Sequence, residues 1–262
     1  MTTFTHDDVT IAYRDAGPRH GPTLVFANSL GTTVDLWAPI LPLLPDTLRV
    51  IRYDMRGHGN SSVPQGAYPM GKLVGDAETL LDHLGVRDCA FVGLSIGGMV
   101  AQGLAVKRLD QVRTLVLSNT AAKIGQPKMW TDRIAAVTSG GLDAIVDGVM
   151  EKWFTRRFRD SPDIAPWRQM FLDTPVSGYT GCCAAIAGTD FYTPTSGLRL
   201  PTLGIAGNED GSTPPDLVRE TISLIPGARF ELIRQAGHLP HVEQPKAYAA
   251  LLTDFLEETG HV

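Results

Sequence analysis

The chain has 262 residues, 43% hydrophobic and 19% charged, which suits one globular α/β domain with a large core and room for an insertion. Its net charge of −5 gives no electrostatic case for binding nucleic acid or an anionic membrane surface. The 3 cysteines form no C-x-x-C pair, and adjacent Cys182 and Cys183 are poorly placed to bridge each other, so a disulfide framework is not expected. No apolar run approaches the length of a membrane span. The opening M-T-T-F-T-H-D-D has no basic region followed by an apolar stretch, and the expectation is a cytoplasmic protein.

In chain order, Phe4-Thr5-His6 and Val9–Tyr13 read as a small hairpin around Asp7-Asp8. Thr23–Ala27 is a continuous apolar strand of the kind buried inside a parallel sheet. The small polar loop Asn28–Thr33 follows, and Val34–Leu44 reads as a helix. Leu48–Tyr53 is the next strand, and Met70–Leu84 has helical periodicity. Cys89–Val92 is a strand that runs into Gly93-Leu94-Ser95-Ile96-Gly97, then a helix to Lys107. Val112–Ser118 is a further strand.

The alternation then stops, and four helical stretches follow: Trp130–Ser139, Leu142–Phe154, Ala165–Thr174 and Tyr179–Ala187. Leu203–Gly207 resumes the strand pattern. Asp216–Leu224 is a helix, Arg229–Ile233 a last strand and Pro245–Glu257 a closing helix. Strands alternating with helices imply a mostly parallel central sheet with helices on both faces. The expected division is a core of residues 1–121 and 191–262 with a helical cap inserted at 122–190. Ligands in such sheets bind beyond the carboxyl ends of the strands.

Strand, G-x-S-x-G, helix is the context in which the motif means a nucleophile elbow. A sharp turn must lift the Ser95 hydroxyl above the sheet, and glycines on either side let neighbouring backbone come close. The hydroxyl needs a base beside it. In this layout the acid and the histidine follow in that order. After the Leu203–Gly207 strand come Glu209 and Asp210; after the last strand comes His238, with His241 as a rival base. Two backbone N–H groups should receive the developing oxyanion. Ile96, next to the nucleophile, is one, and Leu30, in the loop after Thr23–Ala27, is the other. His58, between two glycines, reads as a loop brace, Arg56 and Asp54 as a structural pair, and Cys89 as a core residue. Cys182 and Cys183 lack neighbours at metal-ligand spacing, and no glycine-rich dinucleotide loop follows the first long strand.

These motifs resemble the α/β-hydrolase superfamily along essentially the whole chain. More narrowly, the chain resembles the 3-oxoadipate enol-lactonases of bacterial aromatic catabolism, the beta-ketoadipate pathway. The residues that carry the resemblance are Asn28–Thr32 with Trp37, Tyr53–Gly59, Gly93–Met99, Trp153-Phe154-Thr155, Gly178-Tyr179 with Cys182–Ile186, Asp210 with Thr213-Pro214-Pro215, and His238-Leu239 with Glu243-Gln244-Pro245. Pro240-His241 departs from the pattern, where Ser-Asn is expected. The resemblance assigns the acid to Asp210 and the base to His238. It implies hydrolysis of the enol-lactone of 3-oxoadipate to 3-oxoadipate through an acyl-enzyme on Ser95. The partner is then a small-molecule lactone, with no metal and no cofactor. A broad carboxylesterase or cofactor-free perhydrolase on the same fold is a second reading, and a non-catalytic ligand-binding protein a third. The lactone carries a carboxylate. Trp130 and Arg133, three residues apart on one helical face, are the substrate-binding candidates, with Arg133 on the carboxylate.

Overall fold

The computed structural model describes residues 1–262. Eight strands form one sheet: β1 (Thr2–His6), β2 (Val9–Ala16), β3 (Thr23–Ala27), β4 (Arg49–Tyr53), β5 (Cys89–Leu94), β6 (Val112–Ser118), β7 (Thr202–Gly207) and β8 (Arg229–Ile233). Their spatial order is β1-β2-β4-β3-β5-β6-β7-β8, antiparallel from β1 to β4 and parallel from there to β8. Every residue of β3, β5 and β7 is buried, as required of strands covered on both faces.

The first helices are α1 (Met70–His83) and α2 (Ile96–Lys107). α2 is the pivot of the molecule. From Ile96 to Gln102 every residue is buried, so it is enclosed on all sides rather than amphipathic. α1 packs on its outside, where Gly103 meets the Val74 side chain too closely to carry a Cβ.

Between β6 and β7 lie α3 (Pro127–Gly140), α4 (Val146–Trp153), α5 (Arg156–Arg159), α6 (Ala165–Leu172), α7 (Val176–Ala187) and α8 (Tyr192–Ser196). After β7 come α9 (Pro215–Ser223), α10 (Pro240–Glu243) and α11 (Pro245–Glu258). The inserted α7 sits directly on a core loop. Gly178 meets Gly57 backbone to backbone, and Gly181 lies under the Tyr68 ring, so neither position has room for a side chain. The apolar core runs without a break from Val9 and Phe26 in the sheet to Trp130, Val137 and Phe171 in the insertion. At its far end, α8 is tied to the core by Thr195 Oγ1 donating to Gln102 Oε1 at 2.8 Å. We propose that the cap ends before it, in keeping with a 122–190 insertion.

Five stretches differ from the sequence reading. Val34–Leu44 forms two 3-10 turns, Val34–Trp37 and Leu41–Leu43, instead of one helix. Pro39 and Pro42 withhold the N–H groups a continuous α-helix needs. Leu142–Phe154 divides into a 3-10 turn at Leu142–Ala144 and α4. The short helices α5, α8 and α10 lie where no periodic pattern had room to appear.

Candidate active site

Ser95 joins β5 to α2 with φ 57° and ψ −119°, a conformation that strains a residue with a side chain. Close backbone approaches impose it. A Cβ at Gly93 would strike Gly97 and Gly98, and one at Gly97 would strike the carbonyls of Ala27 and Asn28. Ser95 N donates to Ser118 O at 3.1 Å, and Thr120 Oγ1 donates to Ser95 O at 2.6 Å. Ile96 opens α2, so its N–H lies in the first turn, where no intrahelical acceptor exists.

Asp210 lies in the loop after β7 and His238 in the loop after β8. His238 Nδ1 is 2.9 Å from Asp210 Oδ2, and both side chains are buried. The carboxylate can only accept, so the proton sits on Nδ1 and the Nε2 lone pair is free. Asp210 Oδ2 also accepts from Thr213 Oγ1 and Asn119 Nδ2, each at 2.8 Å. Oδ1 accepts from the N–H groups of Ser212 and Thr213 at 2.7 and 3.1 Å. Burial pushes the Asp210 carboxyl up, but the adjacent His238, with the Asn119 and Ser212 donors, outweighs it and holds the group below its ordinary value. The neighbouring Glu209 is exposed, which separates the two acids.

The other basic candidate lies apart. His241 is buried against Trp37, ring centroids 4.5 Å apart and stacked, with Nε2 3.1 Å from Leu36 O. Pro240-His241 opens α10 and its side chains do not line the cavity of Ser95, so the departure from the family pattern falls away from that cavity.

Ser95 and His238 share one cavity of about 50 Å³ with Leu30, Trp130, Arg133 and Trp153. The structure thus brings the five sequence-predicted residues Leu30, Ser95, Trp130, Arg133 and His238 to one cavity, with Ile96 next to Ser95 in the chain and Asp210 behind His238. Trp130 spends its N–H on Ile124 O at 2.6 Å and forms an apolar wall. The Arg133 guanidinium lies over the Trp130 ring at 5.1 Å, with Nη1 3.4 Å from Tyr179 Oη. It meets a hydroxyl and an aromatic face and no carboxylate.

Other contacts were not legible in the sequence. The last two residues of α4 turn their free carbonyls to the His238 and Asp210 loops: Trp153 O accepts from His238 N at 2.8 Å and Lys152 O from Gly211 N at 3.0 Å. The Trp153 ring also stacks beside His238, 6.2 Å between centroids. Asn119, at φ 45° just past β6, supports Asp210 across 91 residues of sequence; an Asn at the carboxyl end of a strand is its one local signal. The expected Arg56–Asp54 pair does not form. Arg56 is bidentate to Asp76, both bonds 2.6 Å, while Asp54 accepts from Val34 N and Asn60 N at 2.8 and 2.9 Å. Asp76 offers a fork-shaped partner that only folding brings near. Cys89, Cys182 and Cys183 are buried free thiols. No helix is long and apolar enough to cross a membrane.

Residues 22–245 match the model of the alpha/beta hydrolase fold family. The chain is 36% identical to 3-oxoadipate enol-lactonase 2 of Acinetobacter baylyi, over 94% of this chain and 92% of that protein. Among solved structures it is similar to a hydrolase from Pseudomonas aeruginosa, with TM-score 0.93 and 38% identity over 97% of both chains. It is also similar to the enol-lactonase from Burkholderia xenovorans, with TM-score 0.91 and 36% identity over 95% of this chain and 97% of that one. The chain therefore belongs to the α/β-hydrolase family and, within it, to the family of the 3-oxoadipate enol-lactonases: it is a hydrolase that acts on ester bonds.

Proposed function

We propose that the enzyme hydrolyses the enol-lactone of 3-oxoadipate to 3-oxoadipate through an acyl-enzyme on Ser95, with His238 as base and Asp210 as its partner. The observation that carries the reading is one cavity lined by Ser95, His238 and an arginine with no carboxylate partner, Arg133. A closed site that receives a carboxylate-bearing lactone needs such a cation. The names of the relatives point the same way.

In this mechanism Ser95 Oγ attacks the lactone carbonyl and gives its proton to His238 Nε2. The carbonyl electron pair moves onto oxygen, which the N–H groups of Leu30 and Ile96 receive. Collapse breaks the ring C–O bond. The leaving oxygen departs as an enol, reprotonated by His238, and relaxes to the ketone while still attached through the acyl chain. Water then gives a proton to His238 and attacks the acyl carbon, releasing the acid and restoring Ser95. Asp210 stays ionised and stabilises the imidazolium.

Steady-state rates on a panel of lactones and short-chain aryl esters test this. The expected result is a kcat/KM for the enol-lactone well above that for aryl acetates, with both activities lost in Ser95→Ala. Faster turnover of aryl esters than of any lactone would move the assignment to a general carboxylesterase. Activity surviving in Ser95→Ala would remove the acyl-enzyme.

A further inference from the structure

We propose that His58 is a positioning residue for the oxyanion site: through Gly31 it aims the Leu30 N–H, a role that rests on the serine-hydrolase reading above. The starting point is that the Leu30 N–H itself meets no acceptor within the protein, while its own peptide and the next one are tied down. Thr32 Oγ1 donates to Ser29 O at 2.8 Å. That carbonyl belongs to the same planar peptide as the Leu30 N–H and points the opposite way, so holding one aims the other. The next peptide is held by Gly31 N donating to His58 Nε2 at 2.9 Å. The Leu30 N–H is the untied donor of the first of these two fixed planes, and Leu30 lines the cavity that contains Ser95.

The His58 ring is fixed in its turn. Because Nε2 accepts from an N–H, the ring proton must be on Nδ1, which faces Arg56 O at 3.3 Å. His58 is fully buried, and its loop has no slack. Gly57 abuts Gly178 of α7 and Gly59 abuts the Asp54 carboxylate, both too close for a side chain. Ser61 Oγ donates to Asp54 O at 2.6 Å. Burial holds the imidazole down to about 4, so it keeps the lone pair that Gly31 uses at neutral pH.

Gly31 needs such an anchor. It sits at φ 77°, beneath the rings of Phe171 and Tyr179 with no room for a Cβ. The cap rings press on the turn from above, and His58 answers with a directed bond. The oxyanion site therefore depends on a histidine that touches neither substrate nor Ser95.

The test uses an aryl acetate, so that it does not depend on the lactone assignment. An aryl trifluoromethyl ketone serves as a second probe, since its adduct with Ser95 places an oxyanion in the hole. His58→Leu is expected to lower kcat about 30-fold with KM within about twofold, less than the ~10²–10³ lost when a donor is deleted outright. Affinity for the trifluoromethyl ketone should fall by a similar factor. His58→Gln, which can again offer an acceptor to Gly31, should recover most of both. If His58→Leu does not fold, Thr32→Val removes the other tie with little change of shape, and the same paired loss is expected. A kcat loss with unchanged ketone affinity, or a Gln variant no better than Leu, overturns the proposal. Activity in Ser95→Ala would instead overturn the reading on which it rests.

Discussion

Glu243 Oε1 accepts two hydrogen bonds from Thr155, from the hydroxyl at 2.6 Å and the N–H at 3.1 Å, across 88 residues of sequence. Its other oxygen accepts from Gly237 N at 2.7 Å. Gly237 precedes His238, and Thr155 caps α5 two residues after Trp153, so one carboxylate clamps the histidine loop to the cap. Burial pushes the Glu243 carboxyl up, against the Thr155 and Gly237 donors that favour its charge.

All three of its partners are donors, so Glu243→Gln must turn an NH₂ group toward at least one N–H or O–H. We expect a loss of about 2–4 kcal/mol in stability and about tenfold in kcat, or ~1.4 kcal/mol of barrier, with KM little changed. Thermal melts and steady-state kinetics measure both. Lower stability with kcat intact would make the clamp structural only.

Arg133 and Trp130 make a claim about selectivity. Arg133→Met should lower kcat/KM for the carboxylate-bearing lactone about 100-fold, or ~2.7 kcal/mol. An uncharged aryl acetate should be hydrolysed at nearly the original rate, since the Ser95, His238 and Asp210 contacts are untouched. Equal losses on both substrates would indicate a general disturbance of the cap, and no loss on either would place the carboxylate elsewhere.

Acid should destabilise the fold early. Burial holds His58 and His241 down to about 4 and about 3, whereas an unfolded histidine takes its proton near ~6.5. Below that value the unfolded chain binds protons that the native chain does not, so stability is complete above ~6.5 and declines as pH falls toward about 4. Asp210, held low, adds to the loss at still lower pH. Asp54 and Glu243, held high, protonate first in the native state and return part of the stability. The His58 contribution alone is on the order of 3 kcal/mol. Urea unfolding between pH 8 and pH 4 follows the decline, and a free energy flat from pH 7 to pH 4.5 would contradict buried neutral histidines at these positions.

The parts of this protein written locally were legible in the sequence. The elbow is one, because strand, G-x-S-x-G and helix are contiguous and the glycines are demanded by contacts with nearby backbone. The strand and helix order is another, since apolar runs and helical periodicity are properties of short windows. What the sequence left open was decided by contacts between distant segments. Glu209 and Asp210 are neighbours of like chemistry that only the resemblance separated in the sequence, and the fold supplies the physical reason by turning one out to water and the other onto His238 and Asn119. Arg56 found Asp76 rather than Asp54 because α1 brings a carboxylate that can take both arms of the guanidinium, while backbone N–H groups claim Asp54. The Glu243 clamp and the His58 tie to Gly31 are hydrogen bonds whose direction depends on where two loops end up in space. No spacing rule carries that information.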